Sequence, residues 1–172
     1  MSSRDEGAVT MPSLIERILV HLDGSEQSLT AAEYAVLLAK LTGARLTAAY
    51  IINTRALQDL VRSRIFLEAE EKEYGRDLEA DADRYLKHVE KVARRRDVTA
   101  HLIKRSGNVH QEIQRIIDEE DIDLLVLGEL ARVRSRRDEF YDEAERAMRS
   151  AKCSVLIVKD AERVDEFFVE DR

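Results

Sequence analysis

The sequence predicts an α/β fold, a parallel sheet wound by right-handed crossovers with helices on both faces. Short apolar runs recur at Ile18–Val20, Leu46–Ile52, Leu124–Leu127 and Val155–Val158, each bounded by polar or turn residues, as strands buried on both faces are. Between them lie stretches with apolar residues at helical spacing, so that strands and helices alternate as βαβ(α)αβαβαβ. No internal repeat occurs, and 172 residues suit one domain with a sizeable core.

The first strand, Ile18-Leu19-Val20, passes through His21-Leu22 into Asp23-Gly24-Ser25. Gly24 permits the sharp strand-to-helix reversal, and Ser25 caps the next helix with Ser28 in its first turn. Leu29, Ala32, Ala35, Val36 and Ala39 give that helix its apolar stripe, and Gly43 ends it. Ala44 to Ile52 is a second buried strand, ending at Asn53. Leu57, Leu60, Val61, Ile65 and Phe66 predict a short helix over residues 54–66. A long acidic helix from Leu67 to Arg96 follows, its stripe formed by Tyr74, Leu78, Ala82, Tyr85, Val89 and Val92, with a kink or break expected at Gly75.

Val98 to Ile103 alternates as a third strand nearer an edge would, and Ser106-Gly107-Asn108 is a turn. Asn108 with Gln111 resembles a capping box for a helix that turns Val109, Ile113, Ile116 and Ile117 inward. Leu124 to Gly128 is the most apolar strand and belongs at the sheet centre beside the first. Phe140 to Ala151 forms the last helix, and Cys153 to Val158 the fifth strand. Residues 1–13 read as a disordered arm, 14–159 as the domain and 160–172 as an acidic tail.

A net charge of −7, with 37% charged residues, argues against general nucleic-acid binding, which needs a basic footprint. No apolar run approaches the roughly 18–20 residues of a membrane span, and the first dozen residues lack a signal-peptide core. A cytoplasmic protein is expected, and the single Cys153 fits a reducing compartment.

In a parallel sheet, ligands are met at the carboxyl ends of strands, which places Asp23 where a ligand would be read; its other reading is a turn residue capping the first helix. His21 beside it either touches that ligand or fills the sheet surface. His88, His101 and His110 show no metal-ligand spacing. Cys153 lacks any nearby activating group, and no Ser-His-Asp pattern makes Ser25 or Ser28 a nucleophile.

ILVHLDGSEQS at the first strand, IDLLVLG at the fourth and A-x-C-S-V-L-I-V at the fifth resemble the universal stress protein family, in order and spacing from Ile15 to Val158. The resemblance implies a Rossmann-like, adenine-nucleotide alpha-hydrolase-like sheet of order 3-2-1-4-5, normally dimeric. It also implies that ATP-binding members hold adenine and ribose near the acid ending the first strand. Their phosphates rest on a Gly-x-x-Gly after the fourth strand and a Gly-Ser/Thr further along that loop. Carried over residue by residue, the candidate nucleotide site comprises Leu22, Asp23, Gly24, Ile51, Gly128, Glu129, Ala131, Arg132, Tyr141 and Asp142. The match is partial: the second glycine falls on Ala131 and the Gly-Ser/Thr pair on Tyr141-Asp142.

That departure matters chemically. A phosphate loop needs free backbone N–H groups and little bulk. Tyr141 adds bulk, and Asp142 and Glu143 would face a triphosphate with like charge. Unit charges about 4 Å apart repel by about 4 kcal/mol at an effective dielectric of roughly 20, more than the roughly 1 kcal/mol of a neutral hydrogen bond. The expectation is therefore a cytoplasmic, homodimeric stress-response regulatory module with weak or no ATP binding, no cofactor and no catalytic activity. The alternative is an ATP-binding switch using Asp23, Gly128 and the basic run Arg132–Arg137, with slow hydrolysis as a variant. Those arginines equally suit ion pairs with Asp138, Glu139, Asp142 and Glu145. An enzyme on the related fold would need a catalytic constellation that the sequence does not offer. Val155, Leu156, Ile157 and Val158 form an open apolar edge that a second copy would cover, and Phe167, Phe168 and Val169 are expected to pack on that subunit.

Overall fold

The computed structural model describes residues 12–63, 68–130 and 143–169. Its elements run β1 (Arg17–Leu22), α1 (Glu26–Thr42), β2 (Arg45–Asn53), α2 (Thr54–Arg62), α3 (Glu68–Arg95), β3 (Ala100–Gly107), α4 (Val109–Glu119), β4 (Leu124–Gly128), α5 (Glu143–Ser150), β5 (Ser154–Val158) and α6 (Ala161–Glu166). The five strands are parallel in the order β3-β2-β1-β4-β5, as expected. The switch in strand order falls between β1 and β4, and in open parallel sheets ligands bind outside the carboxyl ends of the strands at such a point.

Side chains alternate across the sheet and build two cores. Ile18, Val20 and Leu22 of β1 face α1, α3 and α6, where Ala35, Leu86 and Val164 join them, with Phe168 just beyond α6. Leu19 points the other way, with Ala49, Ile51, Leu125 and Leu127, onto Ile113 and Ile116 of α4 and Ala147 of α5. The same alternation puts His21 on the α4/α5 face.

The helix ends follow the sequence signals. Ser25 Oγ accepts from the Ser28 N–H at 3.1 Å, and Gly43, at φ 73°, closes α1 with a bond from its N–H to the Ala39 carbonyl. Asn108 caps α4, accepting from the Gln111 N–H at 3.5 Å.

Other expectations are corrected. Helix α3 runs unbroken through Gly75. Its inward stripe holds Leu78, Ala82, Tyr85, Val89 and Val92 as expected and adds Leu86 and Ala93, but Tyr74 falls outside it and is exposed. Strand β3 starts later and continues through the expected turn at Ser106-Gly107, because the long β2 templates it as far as Asn53↔Gly107. Ion pairs accommodate its polar end: Lys104 reaches Glu79 at 2.8 Å and Asp83 at 2.9 Å, and Arg105 pairs with Glu119. Phe168 lies in the core of its own chain rather than waiting for a second subunit. The Arg96 guanidinium stands 4.8 Å over its ring, while Phe167 and Val169 stay exposed. Residues 1–11, 64–67, 131–142 and 170–172 lie outside the described residues, and with them most of the arm, Ile65 and Phe66, the Arg132–Arg137 run and the expected start of the last helix at Phe140.

Candidate functional site

Asp23 is the first residue beyond β1. Its Oδ1 accepts from the Ser25 N–H at 2.9 Å and from the Ser25 hydroxyl. Ser28 closes the turn, its hydroxyl donating to the Ser25 carbonyl at 2.8 Å. Partial burial pushes the Asp23 carboxyl pKa up, but hydrogen bonds with Ser25 and Ser28, together with the electrostatic effect of the nearby His21, outweigh it and hold the group below its ordinary value. The residue itself is exposed. The turn thus presents an anion at the carboxyl end of β1, engaged by its own turn and exposed on its outer side.

Gly24 takes φ 83°, and a Cβ there would stand 3.1 Å from the Tyr85 ring and 3.3 Å from the Tyr50 hydroxyl. Those rings stack 5.9 Å apart, 13° from parallel, and buttress the turn from the α3 side. Burial, with Asp81 and Asp23 nearby, pushes the Tyr50 phenol up.

Gly128, at the end of β4, touches the first turn of α1. A Cβ on it would lie 2.5 Å from the Gln27 carbonyl carbon and oxygen and 2.9 Å from the Ser28 nitrogen. The glycine is needed for this backbone approach whether or not a phosphate is held. Asp23, Gly24 and Gly128 therefore converge around Ser28. Leu22 and Ile51 are buried core side chains, leaving only their backbone for a ligand, and Glu129 is exposed beyond β4. Ala131, Arg132, Tyr141 and Asp142 lie outside the described residues.

Sequence reasoning missed a second group at this end of the sheet. Glu143, the first residue of α5, accepts from the His110 N–H at 3.1 Å, and its Oε2 lies 2.8 Å from His110 Nδ1. Arg146 approaches its other oxygen at 3.7 Å. Glu143 was expected to face a ligand's phosphates with like charge; instead its carboxylate is spent on the first turn of α4. Nearby, His21 is 5% exposed, and its Nε2 has no hydrogen-bond partner among the described residues. Burial lowers its pKa, opposed by Asp23 and Glu143. No spacing signals this cluster, since residues 21, 110 and 143 meet only through the fold; the one clue is that each stands at a strand's carboxyl end or in a helix's first turn. Burial pushes the Cys153 thiol up, which suits an unreactive residue. Among the described residues, no group of three or more His, Cys, Asp or Glu is arranged to hold a metal, and no helix is long and apolar enough to cross a membrane.

Residues 15–159 match the profile of the Universal stress protein family. The chain belongs to that family. It is 29% identical over 147 residues to Universal stress protein MJ0531 of Methanocaldococcus jannaschii, covering 86% of this chain and 84% of that one. Among solved structures, a universal stress protein in complex with cAMP superposes with a TM-score of 0.61 at 20% identity, covering 84% of this chain and 97% of the other. An Arabidopsis thaliana family protein with AMP bound gives 0.59 at 15% identity, covering 84% and 91%. Likeness at these identities establishes the shared fold.

Proposed function

We propose that this family member is an adenine-nucleotide-binding regulatory protein, a switch rather than an enzyme, with the ligand in the crevice between β1 and β4. The observation that carries the reading is the exposed Asp23 carboxylate, kept anionic by its own turn at the point where strand order reverses. A carboxylate only accepts hydrogen bonds. It therefore suits the hydroxyls of a ribose or an exocyclic amine, and it would repel phosphate oxygens. That orients the nucleoside toward Asp23 and sends the phosphates toward Gly128 and the start of α5. Two proteins of the same fold have an adenine nucleotide bound, which supports a ligand of that class. The case for weak or no ATP binding loses one of its supports, because Glu143 is engaged by His110.

We also infer a homodimer through β5. Val155, Leu156 and Ile157 are half-buried, and β5 pairs with β4 along one edge only among the described residues. A nucleotide-free regulatory module remains the second reading, favoured by the packing role of Gly128, which explains that glycine without a phosphate.

The test is to denature protein purified without added nucleotide, identify any released small molecule by mass spectrometry, and titrate ATP and AMP by calorimetry. Micromolar binding that Asp23→Ala weakens about tenfold or more, some 1.4 kcal/mol, is the expected result. An empty protein with no heat of binding would leave the second reading standing.

A further inference from the structure

We propose that His110 is a positioning residue for the nucleotide site: it draws the Glu143 carboxylate onto the first turn of α4 and keeps that charge off the ligand's phosphates. The proposal rests on the nucleotide reading above. The first N–H groups of a helix lack partners within it and attract anions. In α4, Asn108 satisfies the Gln111 N–H, and Glu143 satisfies that of His110 from another helix.

The His110 ring makes the contact two-pronged. With Nδ1 at 2.8 Å and the backbone N–H at 3.1 Å on the same oxygen, the carboxylate is fixed toward α4. It is nearly buried there, its side chain 12% exposed. Arg146 stands 3.7 Å from its other oxygen.

Glu143 also lies at the ligand end of the sheet. His21, near the carboxyl end of β1, is buried, and Asp23 and Glu143 both act electrostatically on its imidazole. Glu143 opens α5, which lies in the chain between the parallel strands β4 and β5, so that its N-terminus belongs to the end of the sheet where β4 finishes. A Glu143 carboxylate released from His110 would bring a negative charge toward an incoming polyphosphate, and the cost would scale with the ligand's charge. Adenosine, which has no phosphate, would not register it.

That difference supplies the test. Dissociation constants for ATP and for adenosine are measured by calorimetry on the full chain and on His110→Ala, Glu143→Gln and the double variant. His110→Ala is expected to weaken ATP about tenfold and to leave adenosine within about twofold. The double variant, with no charge to release, should recover ATP affinity to within about threefold of the parent. His110→Asn, which keeps a donor near the Nδ1 position, should preserve the parent's ratio of ATP to adenosine affinity. If His110→Ala does not fold, His110→Leu fills the ring's place without a donor and is measured instead. Equal losses for ATP and adenosine, or an ATP loss that Glu143→Gln does not reverse, would overturn the positioning role and leave the nucleotide reading intact. A parent chain that binds neither ligand would overturn both.

Discussion

Two aspartates sit at opposite ends of the same sheet and are used in opposite ways. Asp123, just before β4, gives one carboxylate oxygen to the backbone, while its Oδ1 is buried with no hydrogen-bond partner among the described residues. Its Oδ2 accepts the N–H groups of Glu16 and Arg17, both at 2.9 Å, and its own N–H donates to the Arg17 carbonyl at 3.1 Å. It ties the start of β1 to the start of β4, giving partners to strand-end groups that would otherwise lack them. Asp23, at the carboxyl end of β1, satisfies only its own turn and keeps its outer side in solvent. The lesson is positional. At the amino end of this sheet the aspartate faces backbone groups and closes the fold, whereas at the carboxyl end, where first turns of helices converge, it stays exposed on its outer side, as the proposed ligand site requires.

The comparison breaks most visibly where the carboxyl end depends on backbone contact. Gly128→Ala inserts a Cβ 2.5 Å from the Gln27 carbonyl, and neither β4 nor α1 can yield cheaply. The expected cost is about 3 kcal/mol of stability, read as a fall in the denaturant midpoint. Gly75→Ala is the internal control. No atom lies within 4 Å of its added Cβ, and it should gain up to about 1 kcal/mol from helix propensity. A Gly128→Ala protein as stable as its parent would mean that this glycine answers to a ligand rather than to packing.

The aspartates themselves give the next effect. Asp123→Ala removes an ionised acceptor from two backbone N–H groups and should cost about 2 kcal/mol, with nucleotide affinity within about twofold of the parent. Asp23→Ala should cost about 1 kcal/mol, as the loss of a local turn and cap does, while affecting affinity far more. Chemical denaturation and calorimetry on the same two proteins decide it. If both variants lost stability and affinity together, the division of labour between the two ends would be wrong.

Most of the fold was legible in the sequence, for identifiable reasons. Strands buried on both faces must be apolar, so β1, β2 and β4 announce themselves. Ser25, Gly43 and Asn108 mark helix ends through local chemistry that needs no tertiary context. Asp23 was legible because its turn is built from adjacent residues. What was not legible depends on distant partners. β3 extends through Ser106-Gly107 because β2 holds it there, and the interactions of Lys104 and Arg105 with α3 and α4 have no local signal. His110 and Glu143 are 33 positions apart, and nothing in that interval predicts that one helix start will cap another. Asp123 read as part of the lead-in to a strand, because its partners lie more than 100 residues upstream.

The smallest effect tests whether the carboxyl end of the sheet carries a cost in stability. His21 is buried with Nε2 unpartnered among the described residues, and burial depresses its pKa below the ordinary 6.5. As pH falls through 6.5, the unfolded chain takes up a proton that the folded chain still refuses. The unfolded state then binds more protons, so stability falls with pH until the folded pKa is reached. One pH unit into that window the loss is at most about 1.4 kcal/mol. Asp23, whose folded pKa lies below 3.8, keeps its contribution throughout this range and gives it up only in more acid solution, so the two windows separate. Denaturation midpoints of the parent and His21→Leu between pH 7.5 and 5.5, roughly one unit either side of the ordinary histidine pKa, isolate the term. The parent should lose stability relative to the variant as pH falls. Parallel curves would mean that His21 takes up its proton as readily folded as unfolded, and that the carboxylates of Asp23 and Glu143 fully offset its burial.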